Sequence, residues 1–442
     1  MAKFTTYSLE SNKKIKFNFD GGELSSDSGL LIIKEFVAKI GLLHYIGKIF
    51  RTNDPARMRI HKDAENLMQL VYQIISGYFE DDCADELTNE PVMTAILDKE
   101  HLASQPTLSR FWNRMDELTL GQLNDIYRAM RKAVYSIDRP KFMLFDLDTT
   151  LLSAYGKQEG AAFNAHYQSV GYHPFLCFNG INGDLLKAEL REGTDYCSKG
   201  SGEFMRPLLK EFQEHYPYTD MYLRGDSGFA APELYEVCEE FCCKYAIRLK
   251  LNSKLMELAK DKDDALYDAT IQDQVKEARV YGEFMYQAGS WSHPRRVVFQ
   301  IEKPYGRIDH VFTFLVTTME SDPYKVLQFY CGRGKMENFI KEGKSGFDFS
   351  SVSSATKIVN ANRLLVHGLA YNIINWFRRL VLAPSMQKLR IEAIRLKLMK
   401  IASKVIHTGR YIIFKLCSSC PYQKEFITTL KNIHKLSLPR LE

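Results

Sequence analysis

The stretch that most restricts the fold begins at Lys141 and reads Lys-Phe-Met-Leu-Phe-Asp146-Leu-Asp148-Thr-Thr150. A short apolar run that ends in acids reads as a buried strand. Residues 172–178 and 183–190 read as two more strands, joined through Asn179-Gly180 and Asn182-Gly183. A helix is expected at 200–215, then a strand from Met221 into the glycine-rich turn Arg224-Gly-Asp226-Ser-Gly-Phe229. Pro232 opens the next helix, and Lys244–Leu251 reads as another strand. Strands alternating with helices predict an α/β layer fold.

The flanks differ in texture. Residues 1–20 alternate apolar and polar, and 29–136 carry helical periodicity with breaks at Asn53-Asp54-Pro55 and Gln105-Pro106. The helices around 107–118 permit a helix-turn-helix reading beside a plain bundle. After 251 a charged helical piece (257–276) precedes alternating segments near 279–287, 294–303 and 309–318, an expected antiparallel insertion. A long helix is expected from 360 to 382, and helical periodicity continues over 387–406.

A chain of 442 residues is too long for one ordinary core, so two to four domains are expected. No signal peptide and no apolar run of membrane-spanning length is visible. Nine cysteines in such a chain read as reduced thiols in a cytoplasm. Residues 371–442 hold 14 Lys+Arg against 3 Asp+Glu, a balance of +11, which leaves −6 for the rest of a chain whose total is +5. A basic tail on a mildly acidic body suits an anionic partner, or a solvated helical face.

Three stations offer carboxylates. Asp146 and Asp148 are two apart, and such residues share one face of a strand. Asp226 stands just past a strand end between glycines that admit a substrate backbone. Glu337 lies in Tyr330-Cys-Gly-Arg333-Gly-Lys-Met-Glu337-Asn-Phe-Ile-Lys341-Glu-Gly-Lys344. Read as a helix, this segment puts Tyr330, Arg333, Glu337, Lys341 and Lys344 on one stripe, a single acid among an aromatic and three cations. Three carboxylates at the ends of α/β elements can hold two Mg²⁺ or Mn²⁺ ions, which prefer oxygen ligands. Two such ions about 3.5–4 Å apart stabilise the attacking and leaving oxygens of phosphoryl transfer. Taken singly, each aspartate motif is also an ordinary turn or cap; the stripe gives them joint weight.

These residues resemble the DDE transposases of bacterial insertion sequences (transposase DDE domain, group 1), in the branch with a Tyr-x2-Arg-x3-Glu-x6-Lys signature and a β-rich insertion before the glutamate. Tyr330, Arg333, Glu337 and Lys344 match that spacing without a gap. The likeness extends to Phe19-Asp-Gly-Gly22, Ser25-Ser-Asp-Ser-Gly29, Tyr155-Gly-Lys-Gln-Glu-Gly-Ala161 and Ala370-Tyr-Asn372. It implies an RNase H-like core in which Asp148, Asp226 and Glu337 are catalytic and bind two divalent ions; Asp146 is not the motif position and is a fallback ligand only through its shared strand face. It implies DNA contacts from Tyr330, Arg333 and Lys344, which the cationic stripe extends to Lys341. Trp291, at an expected hairpin tip, is a candidate platform for a flipped base, or a packed tip residue.

The implied activity is metal-dependent nicking and end cleavage of DNA, followed by strand transfer into a target. The implied partners are double-stranded DNA, as terminal inverted repeats and target, and a second copy of the chain in a synaptic complex, with no membrane. The expected location is a bacterial cytoplasm, at the nucleoid when DNA is bound. The expected division is a mainly helical end-recognition domain (1–140), an RNase H-like core in two parts (141–251 and 319–385), a β-rich insertion domain (252–318) and a basic helical tail (386–442). A non-mobile nuclease on the same fold and a catalytically silent DNA-binding descendant remain open. Cys417-Ser-Ser-Cys420 has zinc-like spacing but no second pair of ligands. His166 and His173 read as structural.

Overall fold

A computed structural model of the chain describes residues 5–56, 58–272, 277–307 and 309–437, with only the backbone described at 271 and 272. It divides into two compact units. One contains the N-terminal segment as far as Asp138, Ser345–Phe349 and the chain from Leu365 onward; the other contains Arg139–Lys344 and Ser350–Leu364. The N-terminal segment and the basic tail, expected as separate domains, therefore belong to one unit.

That first unit is mainly helical, as its periodicity predicts. Helices span Leu30–Lys39, Leu42–Ile49, Asp63–Ser76, Pro91–Leu97, Gln105–Asn113 and Glu117–Ile137. The helix Asp63–Ser76 is buried almost all round, which forces its polar residues to find partners. Gln69 does so by bonding both the N–H and the C=O of Ala103, at 2.9 and 2.8 Å. The tail follows the helical expectation over Ile391–Ile394 and, as a π-helical turn, Arg395–Met399, and departs from it afterwards. Ser403–His407 and Ile412–Leu416 form an antiparallel hairpin, and Leu24–Ser25 adds a third strand. β-Branched and aromatic residues at Val405, Ile406, Ile412, Ile413 and Phe414 favour the pleated form over the helix that spacing alone suggests. After the hairpin, helix returns at Gln423–Lys435.

The second unit is built on one eight-stranded sheet. In chain order its strands are β1 (Met143–Thr149), β2 (Phe175–Asn179), β3 (Leu185–Glu189), β4 (Met221–Gly225), β5 (Lys244–Arg248), β6 (Ala278–Tyr286), β7 (Arg295–Lys303) and β8 (Val311–Thr317). Their spatial order is β6-β7-β8-β5-β4-β1-β2-β3. β1, β4 and β5 run parallel, and β2 and β3 pair antiparallel on the other side of β1.

Helices cover both faces of the sheet. Helix α1 (Ser201–His215) packs Phe212 edge-on against Phe145, with centroids 5.2 Å apart. On the opposite face, α3 (Pro323–Cys331) meets Tyr222 of β4 through Phe329, and α4 (Lys335–Phe347) meets Phe178 of β2 through Phe339. Alternation along β1 therefore turns Phe145 toward α1 and both aspartates toward α3 and α4. Helix α2 (Pro232–Glu240) bridges β4 and β5.

The expected insertion domain is not a separate body. β8 pairs antiparallel with β5 from Ala246↔Thr317 to Arg248↔Leu315, so β6, β7 and β8 extend the main sheet. Of the charged helix expected over 257–276, Lys260–Gln272 is helical and 273–276 lie outside the described residues.

Candidate active site

β1 and β4 are parallel and in register, with Asp146 opposite Arg224 and Leu147 opposite Gly225. Two residues beyond Asp146 and Arg224 come Asp148, still on β1, and Asp226, the first residue past β4. Both therefore reach the carboxyl end of the sheet, where open α/β sheets place their ligands.

Asp146 is not available as a ligand. Arg224 donates to it from Nε and Nη2, at 2.6 Å each, and the Asp146 side chain is fully buried. The third arm of Arg224, Nη1, donates to the Phe329 carbonyl at 2.7 Å, near the end of α3. Two glycines admit this pair: a Cβ on Gly180 would lie 2.3 Å from Asp146 Oδ2, and one on Gly332 would lie 2.7 Å from Arg224 Nη1. The fallback role expected for Asp146 gives way to that of an internal counter-ion.

Asp148 is held differently. Its Oδ2 lies 3.0 Å from Arg333 Nη2, which also donates to the Leu147 carbonyl at 3.2 Å. Burial pushes the Asp148 carboxyl up to about 6; Arg333 pulls it down and Asp226 pushes it up again. Burial opposes the Arg333 charge, but Asp148 and Asp226 outweigh it and hold the guanidinium above its usual value. Arg333 Nε is buried with no hydrogen-bond partner among the described residues. Asp226 accepts from the Gly228 N–H at 2.7 Å, which fixes its turn.

The signature segment is not one uninterrupted helix. α3 ends at Cys331, Gly332–Gly334 tighten into a 3₁₀ turn, and α4 begins at Lys335. Two glycines within three residues weaken α-helix there, so the five-residue stripe is broken between Arg333 and Glu337. Tyr330 is half-buried, with burial first and then Asp226 and Asp148 among the groups raising its phenol, against Arg333 and Arg248. Glu337 is exposed in the first turn of α4, where the helix dipole favours an acid. Lys341 is exposed, and half-buried Lys344 donates to the Leu151 carbonyl at 2.7 Å.

The structure brings Asp148, Asp226, Arg333 and Tyr330 together and leaves Glu337 apart. Among the described residues, no three His, Cys, Asp or Glu side chains stand close enough to hold one metal ion. Two carboxylates of neighbouring strands nevertheless suit a hard divalent cation, and a cation would offset the burial that disfavours the Asp148 charge. In this structure the Arg333 guanidinium supplies that positive charge.

Trp291 has no open face. It is 7% exposed and packs edge-on against Tyr235 and Tyr286, at 5.5 and 5.4 Å, with the Arg295 guanidinium 5.6 Å from its ring. Arg295 is clamped by Glu239 of α2 at 2.7 and 2.9 Å, so the hairpin tip is tied to the layer beneath. Stacking on a base needs an exposed ring face, which this packing withholds. Sequence reasoning overlooked Arg224, although an arginine two residues before Asp226 had to share its strand face with it.

No curated protein matches the chain. A solved piggyBac transposase synaptic complex with hairpin DNA is similar at a TM-score of 0.37 and 11% identity, covering 90% of this chain and 92% of that one. A family model described as Transposase DDE domain group 1 matches residues 7–438. Nearly the whole chain is covered, and it belongs to that family.

Proposed function

We propose that this transposase cleaves DNA at the ends of a mobile element and joins the freed ends to target DNA, with Asp148, Asp226 and Glu337 as its acids. The observation that carries the reading is the delivery of Asp148 and Asp226 to one end of one sheet by adjacent parallel strands. The order β3-β2-β1-β4-β5, with only β2 reversed against its neighbours, supports an RNase H-like core.

Asp148 and Asp226 would hold Mg²⁺ or Mn²⁺, with Glu337 completing the set from α4. Bound there, the ions would supply charge for the attacking and leaving oxygens of phosphoryl transfer. The chain's own groups do the rest. Arg333, whose buried Nε has no partner among the described residues, would turn its guanidinium to a phosphate oxygen, and Tyr330 backs it. Lys341 and Lys344 continue the cationic edge along α4. Arg224 holds the two aspartate strands in register. A synaptic pair of chains on two element ends is the proposed working form, and terminal inverted repeats beside the coding region are the proposed substrate.

The test is strand cleavage and joining of a labelled duplex from that flanking DNA in Mg²⁺, comparing wild type with Asp226→Asn and Glu337→Gln. Cleavage that leaves a 3′-hydroxyl, joins to a plasmid and vanishes in both variants supports the reading. Cleavage without joining moves the chain to the nucleases. Unchanged cleavage in Glu337→Gln removes that residue from the set.

A further inference from the structure

Beside Asp148 and Asp226 lies a recess of about 490 Å³, with both aspartates in its wall. That size is within the range of pockets for small ligands, roughly 300–1,000 Å³. Its other walls come from the end of the strand Ala162–Asn164 and the turn that follows it, from His173, from the 193–197 segment, and from Lys250.

Three aromatic side chains line it. Phe163 and Tyr196 are 55% and 54% exposed, and Tyr167, 36% exposed, lines the same recess as the two acids. The turn that carries Tyr167 is fixed from below. Buried Asn164 accepts from the N–H groups of His166 and Tyr167, at 3.0 and 3.3 Å, and donates to the Gly193 carbonyl at 2.9 Å. The Tyr167 ring is propped edge-on by His166 and His173, at 4.7 and 5.7 Å. Lys250 Nζ donates to the Tyr196 hydroxyl at 2.6 Å, so a cation is held among the rings. Rigid aromatic walls with a cation at hand are the chemistry by which proteins hold single-stranded nucleic acid: bases stack on the rings and the cation meets phosphate.

We propose that this recess takes one unpaired nucleotide adjoining the phosphate on which Asp148 and Asp226 act, with its base against Phe163, Tyr167 and Tyr196 and its phosphate toward Lys250. The proposal rests on the DNA-cleavage reading above. It gives unpaired DNA a place on the main sheet, whereas Trp291 is packed away.

The test uses the full chain and blunt duplexes beside duplexes with a short single-stranded tail, a fluorescent base analogue being set at each tail position in turn. The variants are Phe163→Ala with Tyr196→Ala, both exposed positions, and Tyr305→Ala as an exposed aromatic control elsewhere. Wild type should prefer tailed DNA by about tenfold, the scale of one stacked base, with an emission change confined to one position. The double variant should lose both while binding blunt duplex as wild type does, and the control should keep both. A position-independent signal, or one retained in the double variant, overturns the recess assignment and leaves the cleavage reading standing. Failure of wild type to bind either duplex overturns the cleavage reading and the recess with it.

Discussion

Arg224 grips Asp146 with two arms, Nε to Oδ1 and Nη2 to Oδ2, across the parallel strands that lead to Asp226 and Asp148. The remaining arm reaches Phe329, just before the segment that carries Arg333 and Glu337. One guanidinium thus ties together the three chain segments that deliver the candidate acids. Removing either charge leaves the other buried and uncompensated.

Arg224→Ala should therefore destabilise the protein by about 3–5 kcal/mol, the scale for breaking a buried pair from one side. Chemical denaturation of the full chain measures it. Gly180→Ala should act in the same direction by driving a methyl group into Asp146. A loss under 1 kcal/mol in both variants would count against the pair as an anchor.

Arg333→Ala should weaken DNA binding and lower the salt slope of log K by about 1, the effect of losing one phosphate contact. Because Arg333 holds Asp148 down, its removal should also move that carboxyl further up. Binding titrations across salt concentrations test the first effect. Nuclear magnetic resonance titration of the Asp148 carboxyl tests the second.

The Asp148 shift fixes the sign of a pH effect. Its value in the folded chain, about 6, lies above the ordinary 3.8. Its contribution to stability is thus full below about pH 4 and lost as pH rises through 6. A divalent cation must displace that proton, so affinity for Mn²⁺ should fall about tenfold from pH 7 to pH 5. Calorimetric titration of the DNA-free protein checks this, and Asp148→Asn should flatten the dependence.

Trp291→Ala should cost about 3–5 kcal/mol of stability, as large core truncations do, while DNA affinity per folded molecule stays near that of wild type. Measuring unfolding and binding on one preparation separates the two. A selective loss of binding with unchanged stability would return Trp291 to the DNA interface.

The strands of the core were legible because each is a short apolar run with a turn signal at its end, and β1 carried its acids in plain view. The partners of those acids were not. Spacing shows that Asp146 and Asp148 share a face, but only pairing with β4 shows that one is taken by Arg224. The helical stripe assumed a constant turn per residue, and Gly332 and Gly334 broke it. The tail misled for a related reason: residues such as Val405 and Ile406 fit a helical spacing, and long-range pairing with Leu24–Ser25 decided the outcome. The recess went unread because His166, Tyr167, Cys197 and Lys250 are scattered over some 85 positions and converge only in the folded sheet.

The bonding of β8 to β5 bears on how such a chain could be shortened or lengthened. Excision of β6 to β8 would strip β5 of a neighbour and leave a row of bare donors and acceptors, an invitation to self-association. Additions at β6, the outer margin, meet no such penalty, because four strands separate it from β1. Length can therefore drift at that margin while the interval around Asp226 stays fixed, so that the periphery is open to variation and the seam is not.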